Sequence, residues 1–99
     1  MPSEFRRNGS SFQKTGQVNI PTTAGGTLLL AQLSSGNRSD VTFLNMDDAN
    51  TVYIGNNGLT ANNGFPIAPG AAITRSFNSS VYALSVGGTV RVAYITSED

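Results

Sequence analysis

Residues 80–95, SVYALSVGGTVRVAYI, contain the pattern that decides the fold class of this chain. Two runs of alternating side chains flank Gly87–Gly88, and paired glycines are typical of a tight β-hairpin turn because glycine accepts a positive φ. Such a turn predicts a register in which Ser85 faces Val90. One side of this hairpin then carries no charge and is the predicted core face. It consists of Val81, Ala83, Ser85, Val90, Val92 and Tyr94.

The other side of the predicted hairpin is also largely apolar, and Arg91 is its only charged residue. A hairpin that is apolar on both sides needs cover on both sides. The cover could be the N-terminal segment, a second sheet or another subunit, and the sequence leaves these three open. We therefore take Tyr82, Leu84 and Arg91 as candidate interface residues.

Short apolar segments separated by turn residues recur along the rest of the chain, at a spacing near ten residues. Together with the hairpin they predict about seven strands, and no segment favours a helix. The expected fold is all-β: a single small antiparallel β-sandwich or a jelly-roll-like barrel. Residues 27–33, TLLLAQL, are apolar almost throughout and predict a strand buried on both faces. Residues 40–46 alternate, with Val41, Phe43 and Asn45 on one side.

The first 15 residues are polar and show no periodicity, so we expect residues 1–15 to form an extended N-terminal arm and residues 16–99 the β-sandwich domain. A frayed terminus is the alternative. The segment nevertheless carries Phe5 and Phe12 as apolar anchors, with the basic pair Arg6 and Arg7. An arm of this length reaches about 50 Å, far enough to lie across a neighbouring subunit. These four residues complete the candidate interface.

The composition excludes several classes of function. The 99 residues include no His and no Cys, which excludes disulfides, thiolate metal sites and His-dependent catalytic triads. Six basic residues balance six acidic ones, and no basic stripe indicates nucleic-acid binding. No apolar run is long enough for a membrane span, and the N-terminus lacks a secretory signal. We expect no catalytic residue, no cofactor and no export.

The acidic residues Asp47 and Asp48, with Asn50 and Asp40, have two interpretations. They could bind Ca²⁺ through several oxygens, or they could simply form turns by bonding their own backbone. We favour turns and expect no metal.

The tyrosines Tyr53, Tyr82 and Tyr94 could stack on a sugar or base, but core packing is the better interpretation.

Residues 51–70, TVYIGNNGLTANNGFPIAPG, form a strand followed by a series of turns, which predicts a compact surface loop pinned by Phe65 and Ile67. This layout resembles a pattern in small virion proteins of tailed bacteriophages. The matching segments are Val52-Tyr53-Ile54-Gly55, Asn63-Gly64-Phe65-Pro66-Ile67, Pro69-Gly70, Ile73, Val81-Tyr82-Ala83-Leu84-Ser85 and Thr89-Val90-Arg91-Val92. The resemblance covers residues 41–95 and leaves the arm unmatched.

The resemblance implies a structural role in the virion, after synthesis in the host bacterial cytoplasm. Our first hypothesis is a capsid decoration or cement protein, a homotrimer that covers neighbouring copies of the major capsid protein. The alternative is a tail or fibre module that recognises the host through carbohydrate, since neutral Asn- and Gly-rich loops suit sugar hydroxyls.

Overall fold

The computed structural model describes residues 12–32, 38–76 and 79–98, and of residues 12, 13, 38, 39 and 98 it describes the backbone alone. Within these ranges the chain forms eight strands. They are β1 (Phe12–Ile20), β2 (Thr27–Leu30), β3 (Arg38–Asn45), β4 (Val52–Gly55), β5 (Phe65–Ile67), β6 (Ala72–Ser76), β7 (Val81–Ser85) and β8 (Val90–Glu98). None of the described residues forms a helix that could span a membrane.

The strands form two four-stranded antiparallel sheets. The first sheet has the order β1-β8-β3-β6 and the second has the order β2-β7-β4-β5. The pairs are nested, since β1 pairs with β8, β2 with β7, β3 with β6 and β4 with β5. This is the jelly-roll arrangement of a double-sheet sandwich. The predicted all-β sandwich is confirmed, with eight strands instead of about seven because Phe65–Ile67 forms a strand of its own.

The hairpin predicted around Gly87–Gly88 is wrong. β7 lies in the second sheet between β2 and β4, whereas β8 lies in the first sheet between β1 and β3. Residues 86–89 therefore cross from one sheet to the other, and both edges of each strand are taken by other partners. The predicted core face is nevertheless correct for Val81, Ala83, Val90 and Val92, which are all buried. Alternation along one strand does not depend on which strand pairs with it.

The prediction that residues 27–33 are buried on both faces is also wrong. β2 is an edge strand, and Leu28 on its outer side is 44% exposed. The register against β7 shifts between Leu28 and Leu30, and this bulge accompanies the burial of the successive residues Leu29 and Leu30. The run of consecutive leucines therefore comes from an edge strand with one buried side, in which a bulge turns two successive residues inward.

The core lies between the two sheets and draws on both. The alternation predicted for β3 is confirmed, because Val41, Phe43 and Asn45 are fully buried while Leu44 is 37% exposed. The buried apolar cluster consists of Ile20, Leu29, Leu30, Val41, Phe43, Val52, Ile54, Ile67, Val81, Ala83, Val90 and Val92.

Asn45 is a buried polar junction at the end of β3. Its Nδ2 donates hydrogen bonds to the carbonyl oxygens of Asn50 and Ile67, both at 2.9 Å. Its Oδ1 accepts one from the backbone N–H of Asp47, also at 2.9 Å. One side chain thus ties β3 to the following turn, to the chain entering β4 and to β5.

β1 begins at Phe12 and pairs with β8 along its whole length, from Phe12 opposite Glu98 to Ile20 opposite Val90. Residues 12–15, which the sequence assigns to the arm, therefore belong to the first sheet. The remaining arm residues 1–11 lie outside the described part of the chain.

Candidate functional site

The outward side of the first sheet carries a shallow depression of about 550 Å³, and we call this surface the open face. Strand alternation places its residues, since along β1, β8, β3 and β6 they alternate with the side chains that point towards the other sheet. The outward side chains that line the depression are Thr15, Gln17, Thr42, Leu44, Ala72, Ala93 and Ile95.

Cross-strand register arranges these side chains in two rows. The first row runs Thr15, Ile95, Thr42, Thr74 and the second runs Gln17, Ala93, Leu44, Ala72. The hydroxyl oxygens of Thr42 and Thr74 lie 2.7 Å apart and satisfy each other. Covering the Thr42–Thr74 pair costs little desolvation because its hydroxyls are already bonded to each other, and no charge is present in either row. Thr15 and Gln17, on β1, carry the other polar groups of the rows.

Charged residues lie at the ends of the open face. Asp40 accepts a hydrogen bond from the Ser76 hydroxyl at 3.1 Å, at the start of β3. At the other end Arg91 donates from Nε to Oδ1 of Asn19 at 3.2 Å. The centre of the face is therefore neutral, and its chemistry suits binding another surface rather than acid–base or nucleophilic catalysis.

Part of the outward side of the second sheet, around Gly55 and Tyr53, is covered by residues 56–64, which we call the asparagine loop. Leu59 of this loop is 3% exposed. Three glycines surround it: a Cβ on Gly26 would overlap its side chain, and a Cβ on Gly64 or Gly55 would lie 2.9 or 3.5 Å from it. The glycines leave the space that Leu59 fills. The loop is thus fastened to the outer side of the second sheet.

The same loop returns over Tyr53. A Cβ on Gly64 would lie 2.8 Å from the Cβ of Tyr53, so only glycine fits at this crossing. Leu84, which is opposite Tyr53 on β7, is 8% exposed.

The prediction that Phe65 and Ile67 pin the loop was right for Ile67, which is 3% exposed. It was wrong for Phe65, which is 53% exposed because it lies on a sheet edge. The two buried residues that hold the loop in place are therefore Ile67 and Leu59.

Each of the four edge strands has a feature that discourages pairing with a further strand. On β1 and β6, the exposed cations Lys14 and Arg75 stand opposite the buried Thr96 and Val41, at positions that belong to the inner side. β5 contains Pro66, which has no N–H to donate. β2 contains the bulge described above. The edges of both sheets therefore disfavour the addition of a further strand.

Three of the predicted interface residues, Tyr82, Leu84 and Arg91, do not share one face. Tyr82 is half-buried and Leu84 buried on the second sheet, whereas Arg91 is exposed on the first sheet. Leu84 is thus buried by the described part of the chain itself, whereas Val86, further along the same side, is 60% exposed. Phe12 lies in β1, but its side chain is outside the description, as are Phe5, Arg6 and Arg7.

The acidic residues do not come together. Asp47 Oδ2 accepts hydrogen bonds from the backbone N–H groups of Ala49 at 2.9 Å and Asn50 at 2.6 Å, which closes a turn. These bonds, that from Ala49 first, lower the pKa of Asp47 from its ordinary value of 3.8. Asp40 lies at the opposite end of β3. The described residues contain no group of three or more carboxylate, His or Cys side chains that could hold a metal ion.

Tyr94 packs in the core, as its position on the predicted core face indicated. Its ring meets that of Phe43 edge-on, with centroids 6.5 Å apart. It also lies over Gly16, where a Cβ would come within 2.6 Å of the ring. The ring covers the gap that the glycine leaves in β1.

Sequence reasoning missed the roles of Leu59 and Asn45. Each had a signal: Leu59 is the one large apolar residue between Ile54 and Phe65, and Asn45 is a polar residue at an inward position of an alternating strand. Such exceptions to the local pattern indicate a tertiary contact.

Comparisons of this chain with protein-family models, with curated proteins and with solved structures found no match.

Proposed function

We propose that this protein is a structural virion protein of a tailed bacteriophage, a decoration or cement protein of the head. It is made in the host cytoplasm and acts in the virion, as a homotrimer that covers neighbouring copies of the major capsid protein. The observation that carries the proposal is the open face, a neutral surface of small and apolar side chains on a sandwich whose edges resist strand addition.

The mechanism is burial of surface. Contacts between the open face and a capsid subunit remove apolar area from water, and this area must be exposed again before the shell can rupture. Copies held by one symmetric oligomer bind with avidity because each contact keeps the others close. Residues 1–11, with Phe5, Arg6 and Arg7, are a further predicted contact with a neighbour.

The resemblance of residues 41–95 to small phage virion proteins supports this proposal. The jelly roll is compatible with it, since viral capsid proteins use this fold, but lectins and cupins use it as well. Fold alone does not decide function, so the open face carries more weight.

The proposal is tested by measuring the mass of the protein in solution and its binding to emptied capsids. We expect an oligomer that binds in a saturable manner. Ala72→Glu places a charge on the open face and should weaken binding at least tenfold. The matched control Ala68→Glu changes an exposed turn outside that face and should bind like the wild type.

A monomer without affinity for capsids would refute the decoration role. Copy number in the intact particle distinguishes the remaining locations, since hundreds of copies indicate head decoration. A few to dozens of copies would instead place the protein in the tail or a fibre.

A further inference from the structure

The asparagine loop is a rigid segment on the side of the molecule away from the open face. The N–H of Gly58 donates to the carbonyl of Gly25 at 2.9 Å, which ties the loop to the chain before β2. Inside the loop, the N–H of Leu59 donates to the carbonyl of Asn56 at 3.1 Å and that of Gly64 to Thr60 at 2.8 Å. With Leu59 buried among glycines, the loop holds one shape before any ligand arrives.

A depression of about 360 Å³ lies on this loop, and its lining is mostly polar. The residues around it are Gly55, Asn56, Asn57, Gly58, Leu59 and Asn63. The volume is at the lower end of the range for small-molecule sites.

Two of the three asparagine amides are free. The side chains of Asn56 and Asn57 are exposed and make no hydrogen bond within the described part of the chain. Asn63 uses Oδ1 to accept the N–H of Thr60 at 2.8 Å, which leaves its Nδ2 available as a donor. Each free amide offers two N–H donors and a carbonyl acceptor, so the depression presents both kinds of group side by side.

The lining is neutral. No charged residue lines the depression, and Arg75 lies in a neighbouring depression that shares Gly55 with it. The lining itself therefore has no cation for a phosphate or sulfate and no carboxylate for an amine. Its one large apolar residue, Leu59, is already buried, which leaves no pocket for an apolar side chain of a peptide. A fitting ligand must be neutral and present several donors and acceptors on adjacent atoms. Sugar hydroxyls have this character, since each donates and accepts.

We propose that the asparagine loop binds a neutral carbohydrate, one or two sugar units in size, through the amides of Asn56, Asn57 and Asn63. This activity uses the opposite side of the sandwich from the open face. A protein docked through the open face would therefore present the asparagine loop outward, towards a cell surface. The proposal concerns the isolated chain and does not depend on where in a virion it is mounted.

The test begins with the full chain on a glycan array that carries neutral glycans of hexoses and N-acetylhexosamines beside sialylated and sulfated ones. We expect binding to members of the neutral set. Calorimetric titration with the best-bound neutral glycan then compares Asn57→Ala, which removes a lining amide, with Asn62→Ala. Asn62 is an exposed asparagine of the same loop that does not line the depression.

Asn57→Ala should lower the affinity at least tenfold, and Asn62→Ala should change it less than twofold. Both positions are exposed, so the fold should survive, and amide NMR spectra outside the loop verify this. Asn56→Ala serves as a second lining variant. No binding of a neutral glycan at millimolar concentration, a preference for acidic glycans, or equal losses in the lining and control variants would overturn the proposal. None of these outcomes bears on capsid binding, which is measured separately.

Discussion

Leu44 and Leu84 lie at outward positions on the two sheets of the sandwich, yet Leu44 is 37% exposed and Leu84 only 8%. On the second sheet the nine-residue asparagine loop between β4 and β5 folds back over Tyr53, the residue opposite Leu84. No described segment folds back over Leu44 in this way, and it lines the exposed depression of the open face. Two leucines at outward positions can therefore differ widely in burial.

The comparison also separates two kinds of surface. The covered side of the second sheet ends in a rigid neutral loop with free amides, which suits recognition of a small polar ligand. The open face is broad and without charge at its centre, which suits contact with another protein surface. Two different roles can therefore reside on opposite sides of one small domain.

Asn45→Ala should cause the largest loss in the free energy of unfolding. Because Asn45 is buried between the two sheets, its loss is the standard with which the variants on the two faces are compared. The substitution removes three hydrogen bonds and leaves the carbonyls of Asn50 and Ile67 without their buried donor, at a cost of about 4 kcal/mol in the free energy of unfolding. Urea denaturation measures it. Asn19→Ala, an exposed control, should cost less than about 0.5 kcal/mol. Equal effects would mean that Asn45 is not a structural junction.

Leu84→Ala and Leu44→Ala make the same chemical change on the two faces. We expect a loss of about 3 kcal/mol for Leu84→Ala, because a buried leucine leaves a cavity. Leu44→Ala should lose less than about 1 kcal/mol, since much of that side chain is already in water. The same denaturation experiment compares them. Similar losses would show that the open face is covered in solution, most simply by another copy.

Leu59→Ala removes the pin of the asparagine loop and should cost about 2 kcal/mol, because the vacated space between the glycines can partly collapse. Amide hydrogen exchange should become faster in residues 56–64 and stay unchanged in β8 and β3. Uniform acceleration throughout the chain would mean that the loop and the sheets open as a single unit.

The smallest expected effect is a dependence on pH that arises from Asp47. Its pKa is lower in the folded state, so its contribution to stability is complete above its ordinary pKa and disappears as the pH falls through the lowered value. Asp47→Asn should therefore differ most from the wild type at neutral pH, and the two should converge in acid. Denaturation at several pH values measures this. Asp48→Asn is the control, because Asp48 accepts no hydrogen bond in the described part of the chain.

Much of the fold was predictable from local patterns. The alternation in 40–46 and 80–95 correctly placed Val41, Phe43, Ala83 and Val92 in the core, because side chains alternate across any strand whatever its neighbours are. Turn residues correctly marked most breaks between strands, but β1 begins at Phe12, in the segment that the sequence assigned to the arm.

The pairing around Gly87–Gly88 was predicted wrongly for a physical reason. Two glycines permit a tight hairpin but do not require one, and the choice depends on which other strands compete for the same edges. β7 and β8 each find two partners far away in the sequence, so the glycines serve instead as a crossing between sheets.

The candidate sites were the least predictable part. Tyr82, Leu84 and Arg91 were grouped through the hairpin register, and they separated once β7 and β8 lay in different sheets. The open face combines residues of four strands, and its rows exist only in the register of β1, β8, β3 and β6.

The sequence by itself determined that this chain is all-β, which side of most strands faces inward, and that it contains no His and no Cys. The tertiary structure alone decided which strands pair, which outer face is covered, and that Leu59 meets Gly26, Gly55 and Gly64. The reason is the range of the interactions. Alternation and turn preferences act between residues a few positions apart, whereas pairing and covering depend on which distant segments bury the most surface together.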